Sequence, residues 1–345
     1  MIRIGVIGCG YWGPNLIRNF TKVRDCEIVA VADNRPERLE AVRFLNPGMK
    51  LTTMAEELIE SSSIDAVVIA TPVSTHFELA RTCIQNYKHV WIEKPMTVTA
   101  SEARELVRLA EENACVLMVD HTFIYSGAVR KLREIIDSGE LGDIYYFDSV
   151  RLNFGLFRQD VNVLWDLGPH DFSLLTYLLG RKPIHVSALG SRPVRWTGWN
   201  QESIAYVTVE LEGNILAHFH LNWLSPIKLR RTLIGGSRKM VMYDHLDCEN
   251  QIKVFDKGVD VLENEDRRKL LMKYRTGDLW IPKVDQTEAL ETASKHFIEC
   301  IQKLLRPITD GYAGLRVVEL LESAERSMKQ AREDSEVWEV QTVAA

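Results

Sequence analysis

Apolar and polar positions alternate along this chain in two different rhythms. Over the first 120 or so residues, short apolar runs are separated by amphipathic stretches of helical period. Ile2–Ile7 reads as a strand, Pro14–Val23 as a helix, and Glu27–Ala32 as a second strand. Pro36 fits the first turn of the next helix, where a missing N–H costs nothing. Asp65–Thr71 is almost continuously apolar, the signature of a strand buried on both faces. Helix is predicted over Thr75–Asn86 and strand over His89–Glu93. Thr99-Ala100-Ser101-Glu102 is a capping box that starts a helix running to about Asn113. Cys115–Asp120 is the next strand. Strands alternating with helices predict a parallel sheet built from βαβ units.

The rhythm changes near residue 122. After a helix over Tyr125–Ser138, strands follow one another with few helices between: Ile144–Asn153, Ile184–Gly190, Ile204–Glu212, Ile215–Trp223 and Leu229–Ile234. Lys239–Tyr243 and Gln251–Phe255 extend the series. Glu212-Gly213-Asn214 is a turn, so the strands flanking it form an antiparallel hairpin. Residues 263–286 are charged, weakly patterned and read as a loop. Helices return over Glu288–Leu305 and Tyr312–Arg332. The expected fold is α/β: a Rossmann domain over 1–122, then an α/β domain over 123–345 with a large open, mainly antiparallel sheet. Its C-terminal helices are free to pack back on the first domain. At 345 residues, two cores are the default.

Chemistry enters at the first turn. Gly8-Cys9-Gly10-Tyr11-Trp12-Gly13 is G-x-G-x-x-G, set between a strand and a helix, the context that gives the pattern meaning. The first glycine makes a tight turn, the second admits a pyrophosphate and the third lets helix and strand pack closely. The helix N-terminus then offers free N–H groups to the anion. Asp33 ends the second strand about 20 residues on, where an acid meets the ribose 2′-hydroxyl of NAD. The same charge repels the 2′-phosphate of NADP, an effect Arg35 partly offsets, so NAD is expected and NADP possible.

Glu93-Lys94-Pro95 closes a strand at the carboxyl edge of the sheet, where ligands bind in open α/β folds. Asp166-Leu167-Gly168-Pro169-His170 sets an acid and a histidine four apart, on one face if a helix starts there with Pro169 in its first turn. Histidine takes and returns a proton near neutral pH, and a carboxylate orients it. No third or fourth ligand is spaced for zinc. His218 and His220 share one strand face, a sheet surface rather than a ligand pair.

The net charge of −6 and the absence of a basic run argue against nucleic acid. The six cysteines include no C-x-x-C pair. No apolar run approaches a membrane span, and the start reads as a strand rather than a leader. A cytoplasmic protein is expected.

Taken together, the glycine loop, Thr71-Pro72 with His76, Glu93-Lys94-Pro95, Asp166-x-x-x-His170, and Pro307-Ile308-Thr309-Asp310-Gly311 with Gly314-Leu315-Arg316 resemble the glucose–fructose oxidoreductase/inositol dehydrogenase (Gfo/Idh/MocA) family. The match runs in order over nearly the whole chain. The resemblance implies hydride transfer at a secondary alcohol of a sugar, nucleotide sugar or cyclitol, with Lys94, Asp166 and His170 catalytic. It implies a cofactor held by Gly8, Gly10, Tyr11, Trp12, Gly13, Asp33, Arg35, Thr71, Pro72, His76, Glu93 and Lys94, and no metal. Two segments depart from the pattern. Many members have glycine where this chain has Asp120, followed by His121, and a glycine pair where it has Asp160–Trp165. The segment around Asn162 and Trp165 is most similar to sugar-nucleotide members. Candidate substrate contacts are therefore Lys94, His121, Asn153, Asn162, Trp165 and His170. An NAD-dependent glycosidase on the same fold and a non-catalytic NAD-binding regulator are the rival readings. A sheet with one uncovered face predicts a homodimer or homotetramer.

Overall fold

The computed structural model describes residues 1–345 except 46–47, 156, 195–198, 263–270 and 344–345, and gives backbone alone at 44–45, 260–262, 271–273 and 335–343. The chain forms two compact units, Met1–Ser126 with Gln286–Glu319, and Gly127–Asp285 with Leu320–Ala345.

The first unit runs β1 (Ile2–Ile7), α1 (Gly13–Phe20), β2 (Cys26–Ala32), α2 (Pro36–Leu45), β3 (Lys50–Thr52), α3 (Glu56–Ile59), β4 (Ala66–Ile69), α4 (His76–Gln85), β5 (His89–Glu93), α5 (Ala100–Glu112) and β6 (Leu117–Asp120). The six strands are parallel in the order β3-β2-β1-β4-β5-β6, the doubly wound arrangement with its switch point between β1 and β4. All four residues of β4 are buried, as a central parallel strand requires. Thr99 and Glu102 cap α5 reciprocally, each side chain accepting the other's backbone N–H at 3.2 Å. β3 and α3, too short to carry a period, were absent from the pattern-based expectation.

The second unit runs α6 (Gly127–Asp137), β7 (Ile144–Phe154), α7 (Val163–Leu179), β8 (Pro183–Ser191), β9 (Ile204–Leu211), β10 (Ile215–Asn222), β11 (Leu224–Gly236), β12 (Met240–Asp244), β13 (Ile252–Leu262) and β14 (Leu271–Trp280). The remaining helices are α8 (Ala289–Lys303) and α9 (Gly311–Val343). Gln286–Glu319, with α8, belongs to the first unit, so the chain is not divided by a single cut at residue 122. Phe297 of α8 and Phe20 of α1 meet Trp91 edge-on, with centroids 5.7 and 5.3 Å away.

The second sheet has eight strands, ordered β14-β13-β12-β11-β7-β10-β9-β8. Every pairing is antiparallel except β7–β10. The β9–β10 hairpin turns at Gly213 and Asn214, both at positive φ, where glycine and asparagine are tolerated best. Strands β9 and β10 alternate buried and more exposed positions, so one face is packed and the other is not. The segment read as a loop over 263–286 is corrected in part: Leu271–Trp280 is an edge strand paired with β13. Its charges sit on an edge with solvent beside it, which erases the apolar alternation that marks an inner strand. Residues 263–270 lie outside the described residues.

On the packed face, Arg151 of β7 and Asp171 of α7 form a buried two-pronged ion pair at 2.8 and 2.9 Å. Ser149 donates to the same carboxylate at 3.1 Å. Asp171→Ala would remove both prongs of this pair while the Arg151 charge stays buried. It is expected to lower stability by about 3–5 kcal/mol, measured by equilibrium urea unfolding.

Candidate active site

The cofactor loop follows from β1 and α1. Gly8 has φ +101°, and a Cβ there would sit 2.6 Å from the Ala70 carbonyl oxygen. A Cβ on Gly13 would lie 2.3 Å from the Gly8 carbonyl oxygen. Both positions therefore exclude any side chain. Gly10 differs, since its Cβ would meet only the flexible Arg38 guanidinium, at 3.2 Å. Its glycine is explained by what must approach from outside. No side chain caps α1, so its leading N–H groups face the loop as an anion site. Tyr11 is 92% exposed on the same turn. A cradle closed to side chains and an uncapped helix end fit a dinucleotide pyrophosphate.

Asp33 locks this loop to the end of β2. One carboxylate oxygen accepts the Cys9 N–H at 2.7 Å and the other accepts the Arg35 N–H at 3.0 Å. Arg38 reaches the first oxygen at 3.4 Å. Sequence reasoning missed Arg38; its only signal was its place one turn after Arg35. Cys9 is buried, and burial with the adjacent Asp33 charge pushes its thiol up to about 12. Asp33, Arg35, Arg38, Thr71, Pro72 and Thr75 help to line a cleft of about 570 Å³ beside the loop. It holds the position where a nucleoside attached to that pyrophosphate would lie.

Two residues expected at the cofactor, His76 and Glu93, turn into the protein. His76 is 1% exposed. Its Nδ1 faces the Pro95 carbonyl at 3.0 Å and its Nε2 the Thr71 carbonyl at 2.9 Å. It braces two loops and presents no free nitrogen, and burial pulls its pKa down. Glu93 turns inward to Asp120, its register partner on β6, so that the two carboxyls are neighbours. Burial, foremost, raises both, Glu93 well above its ordinary value, and the Asp120 charge raises Glu93 further. Trp12 donates its indole N–H to Asp120 at 3.3 Å, and Thr122 donates to the other oxygen. Lys94 follows Glu93 directly, joined by a cis peptide to Pro95, and its charge favours the ionised form of both acids. The dyad was invisible in the sequence because it depends on strand register. Its signal was Asp120 standing where a glycine is common.

His121 follows Asp120. It is 1% exposed, and neither ring nitrogen has a partner among the described residues. Burial, reinforced by Lys94 and Arg316, pushes its pKa down to about 3, so the ring is neutral.

In the second unit, Asn162 caps α7, accepting the Trp165 N–H at 3.1 Å and donating to Glu202 at 3.2 Å. Trp165 is buried and donates its indole N–H to Glu325 at 2.9 Å. Both were expected to face substrate, and both are instead committed to holding the helix. Helix α7 begins at Val163, which corrects the placement of Pro169: it lies inside the helix, not in its first turn. The ring removes one i→i−4 hydrogen bond, freeing the Trp165 carbonyl. Asp166 and His170 lie four apart on this helix and so share a face. Asp166 accepts from the Trp223 indole at 3.1 Å, and Arg158 stands 3.7 Å away. His170 is half-buried. Asn153 is half-buried near the end of β7, packed so closely on Gly155 that a Cβ there would sit 2.3 Å from its amide nitrogen. His218 and His220 stack on Tyr206 across the sheet, centroids 6.2 and 4.3 Å away. Among the described residues no group of His, Cys, Asp or Glu is arranged to hold a metal.

Residues 2–121 match the model of an oxidoreductase family with an NAD-binding Rossmann fold, and residues 129–242 match the GFO/IDH/MocA C-terminal domain. The chain is 27% identical to UDP-N-acetylglucosamine 3-dehydrogenase of Acidithiobacillus ferrooxidans, over 92% of this chain and 94% of that one. A solved structure of that enzyme superposes with a TM-score of 0.78 at 26% identity, covering 95% of this chain and 98% of the other. The scyllo-inositol 2-dehydrogenase (NADP(+)) IolW of Bacillus subtilis is 25% identical, over 96% and 95% of the two chains. With a domain model matched in each half and solved relatives sharing its course almost from end to end, this chain belongs to the GFO/IDH/MocA family of NAD-binding oxidoreductases.

Proposed function

We propose that the protein is an NAD(P)-dependent dehydrogenase that moves a hydride between a nicotinamide and a secondary alcohol of a sugar, nucleotide sugar or cyclitol. The observation that carries the reading is a pyrophosphate cradle closed to side chains, in the same Rossmann unit as Lys94 at the carboxyl edge of β5. The cofactor supplies hydride acceptance and return. Gly8, Gly10 and Gly13 admit its pyrophosphate. Asp33 receives the ribose hydroxyls, and Thr71 and Pro72 flank the cleft. In this reading Lys94 donates a hydrogen bond to the alcohol oxygen and steadies its developing negative charge. His170 takes the hydroxyl proton on oxidation and returns it on reduction. Asp166 orients that histidine from one turn earlier.

The names of the relatives, a nucleotide-sugar and a cyclitol dehydrogenase, support the substrate range. Tyr145, Leu189, Tyr206 and Leu216 are exposed on the second unit's sheet. Apolar exposure of that kind supports a homodimer or homotetramer, which sedimentation velocity reads directly. The six cysteines are free thiols, and no described helix is long and apolar enough to cross a membrane. The free thiols support a reducing, cytoplasmic setting.

The test is a screen of sugars, cyclitols and nucleotide sugars, read by NADH or NADPH formation. No reduced cofactor with any alcohol, or release of free sugar without net reduction, would overturn the reading. Asp33→Ser tests the cofactor assignment in the same assay. Removing the carboxylate exposes Arg35 and Arg38 to a 2′-phosphate. The ratio of kcat/KM for NAD over NADP is expected to fall by about ten- to a hundredfold.

A further inference from the structure

One charged side chain in the second unit has no structural explanation. Arg230 of β11 stands directly opposite Arg151 of β7, so the two point to the same face. Arg151 is matched by Asp171. Arg230 is half-buried, its Nε is sealed from solvent, and its guanidinium has no hydrogen bond or ion pair among the described residues. Burial and the like charge of Arg151 work against it, and Asp171, Tyr243 and Asp166 compensate only through space.

Its surroundings add positive charge. His245 follows β12 and donates its backbone N–H to the Arg230 carbonyl at 3.0 Å. Its Nδ1 lies 3.0 Å from the Tyr243 hydroxyl. Burial, then Arg151, Arg230 and Lys228, push this histidine down to about 4 against the opposing charge of Asp171, so the ring is neutral. A partly desolvated guanidinium held among like charges weakens the fold unless something outside the chain supplies the counter-charge. The planar fork of an arginine fits the two oxygens of a carboxylate or phosphate. Asp166 is within electrostatic reach of Arg230, and His170 lies only ~6 Å further along the same helix.

We infer that Arg230, with Lys228 and His245 beside it, recognises an oxyanion on the substrate, so that the alcohol this enzyme acts on carries a carboxylate or a phosphate group. The inference rests on the dehydrogenase reading only for the roles of Asp166 and His170. Neutral cyclitols and neutral free sugars are then poor ligands.

The experiment titrates the full chain, saturated with NADH, with three probes in a calorimeter: glucuronate for a sugar carboxylate, UDP for a diphosphate, and myo-inositol as the neutral control. At least one anionic probe is expected to bind more tightly than myo-inositol, and more weakly as salt rises. Arg230→Met should weaken that binding about ten- to a hundredfold. Arg230→Lys, which keeps the charge but not the fork, should fall between. The probe that loses affinity tells carboxylate from diphosphate. Arg230→Met is also expected to melt no lower than the parent, since it removes an unmatched charge. Failure of both anionic probes to bind, binding that ignores the substitution, or a lowered melting temperature would each overturn the inference. The dehydrogenase reading fails separately, if anionic probes bind through Arg230 yet no anionic alcohol yields NADH.

Discussion

Lys94→Ala is expected to reduce turnover by about 10²–10⁴-fold while leaving NADH affinity within about threefold of the parent. Lys94 directly follows β5, at the carboxyl edge of the sheet. The proposed hydrogen bond to the alcohol oxygen strengthens as that oxygen becomes an alkoxide, so its loss falls on the transition state rather than on the ground state. The pyrophosphate cradle and Asp33 are left intact, which is why cofactor binding is the built-in control. Single-turnover kinetics with each hydride donor separates the two effects. Turnover close to that of the parent would remove Lys94 from the chemistry. The substitution also takes a positive charge away from the Glu93–Asp120 dyad, which Lys94 favours in its ionised form. Both carboxyls would then titrate at higher pH, having lost a charge that lowers them. A shifted pH–rate limb at reduced but measurable activity would show that coupling.

Gly13→Ala is expected to have the second large effect, a loss of NADH affinity of at least about a hundredfold. The new Cβ would lie 2.3 Å from the Gly8 carbonyl oxygen. Neither partner is a mobile side chain, so the strand-to-helix turn must open. The start of α1 then moves away from the pyrophosphate position, and the melting temperature falls with the affinity. Gly10→Ala provides the contrast. Its Cβ would meet only the end of Arg38, at 3.2 Å, and a guanidinium can swing aside. That variant should keep its melting temperature and lose affinity, because the added methyl occupies the ligand's own approach. Equal thermal losses in the two variants would contradict the division of labour among the glycines.

The elements with a clear period were legible from sequence. The βαβ alternation, the Thr99–Glu102 cap and the Gly213–Asn214 hairpin all follow from local rules. The Leu271–Trp280 strand did not, because an edge strand with solvent beside it has no need of alternating apolar residues. The candidate site divides in the same way. The glycine loop and Asp33 could be read because the chain itself dictates their geometry. His76, Glu93, Asn162 and Trp165 could be located but not assigned: within its own unit, each spends side-chain hydrogen-bonding groups on neighbouring protein. Arg38, the Glu93–Asp120 dyad and the unmatched Arg230 needed tertiary contacts. Asp120 meets Glu93 only through the β5–β6 register, and Arg230 faces Arg151 only because β11 runs against β7. No spacing along the chain encodes such pairings.

Cys9 sits in the middle of the cofactor loop, buried, with its thiol pushed up to about 12. Near neutral pH only about one molecule in 10⁵ carries the thiolate there. The thiolate, not the thiol, is the nucleophile that attacks peroxides and alkylating electrophiles. A residue in the turn that must touch every incoming coenzyme is thereby made chemically inert. The Asp33 carboxylate contributes to this inertness by opposing a second negative charge beside it. Catalytic capacity should therefore outlast oxidative exposure that modifies Cys248, which lies exposed at the surface.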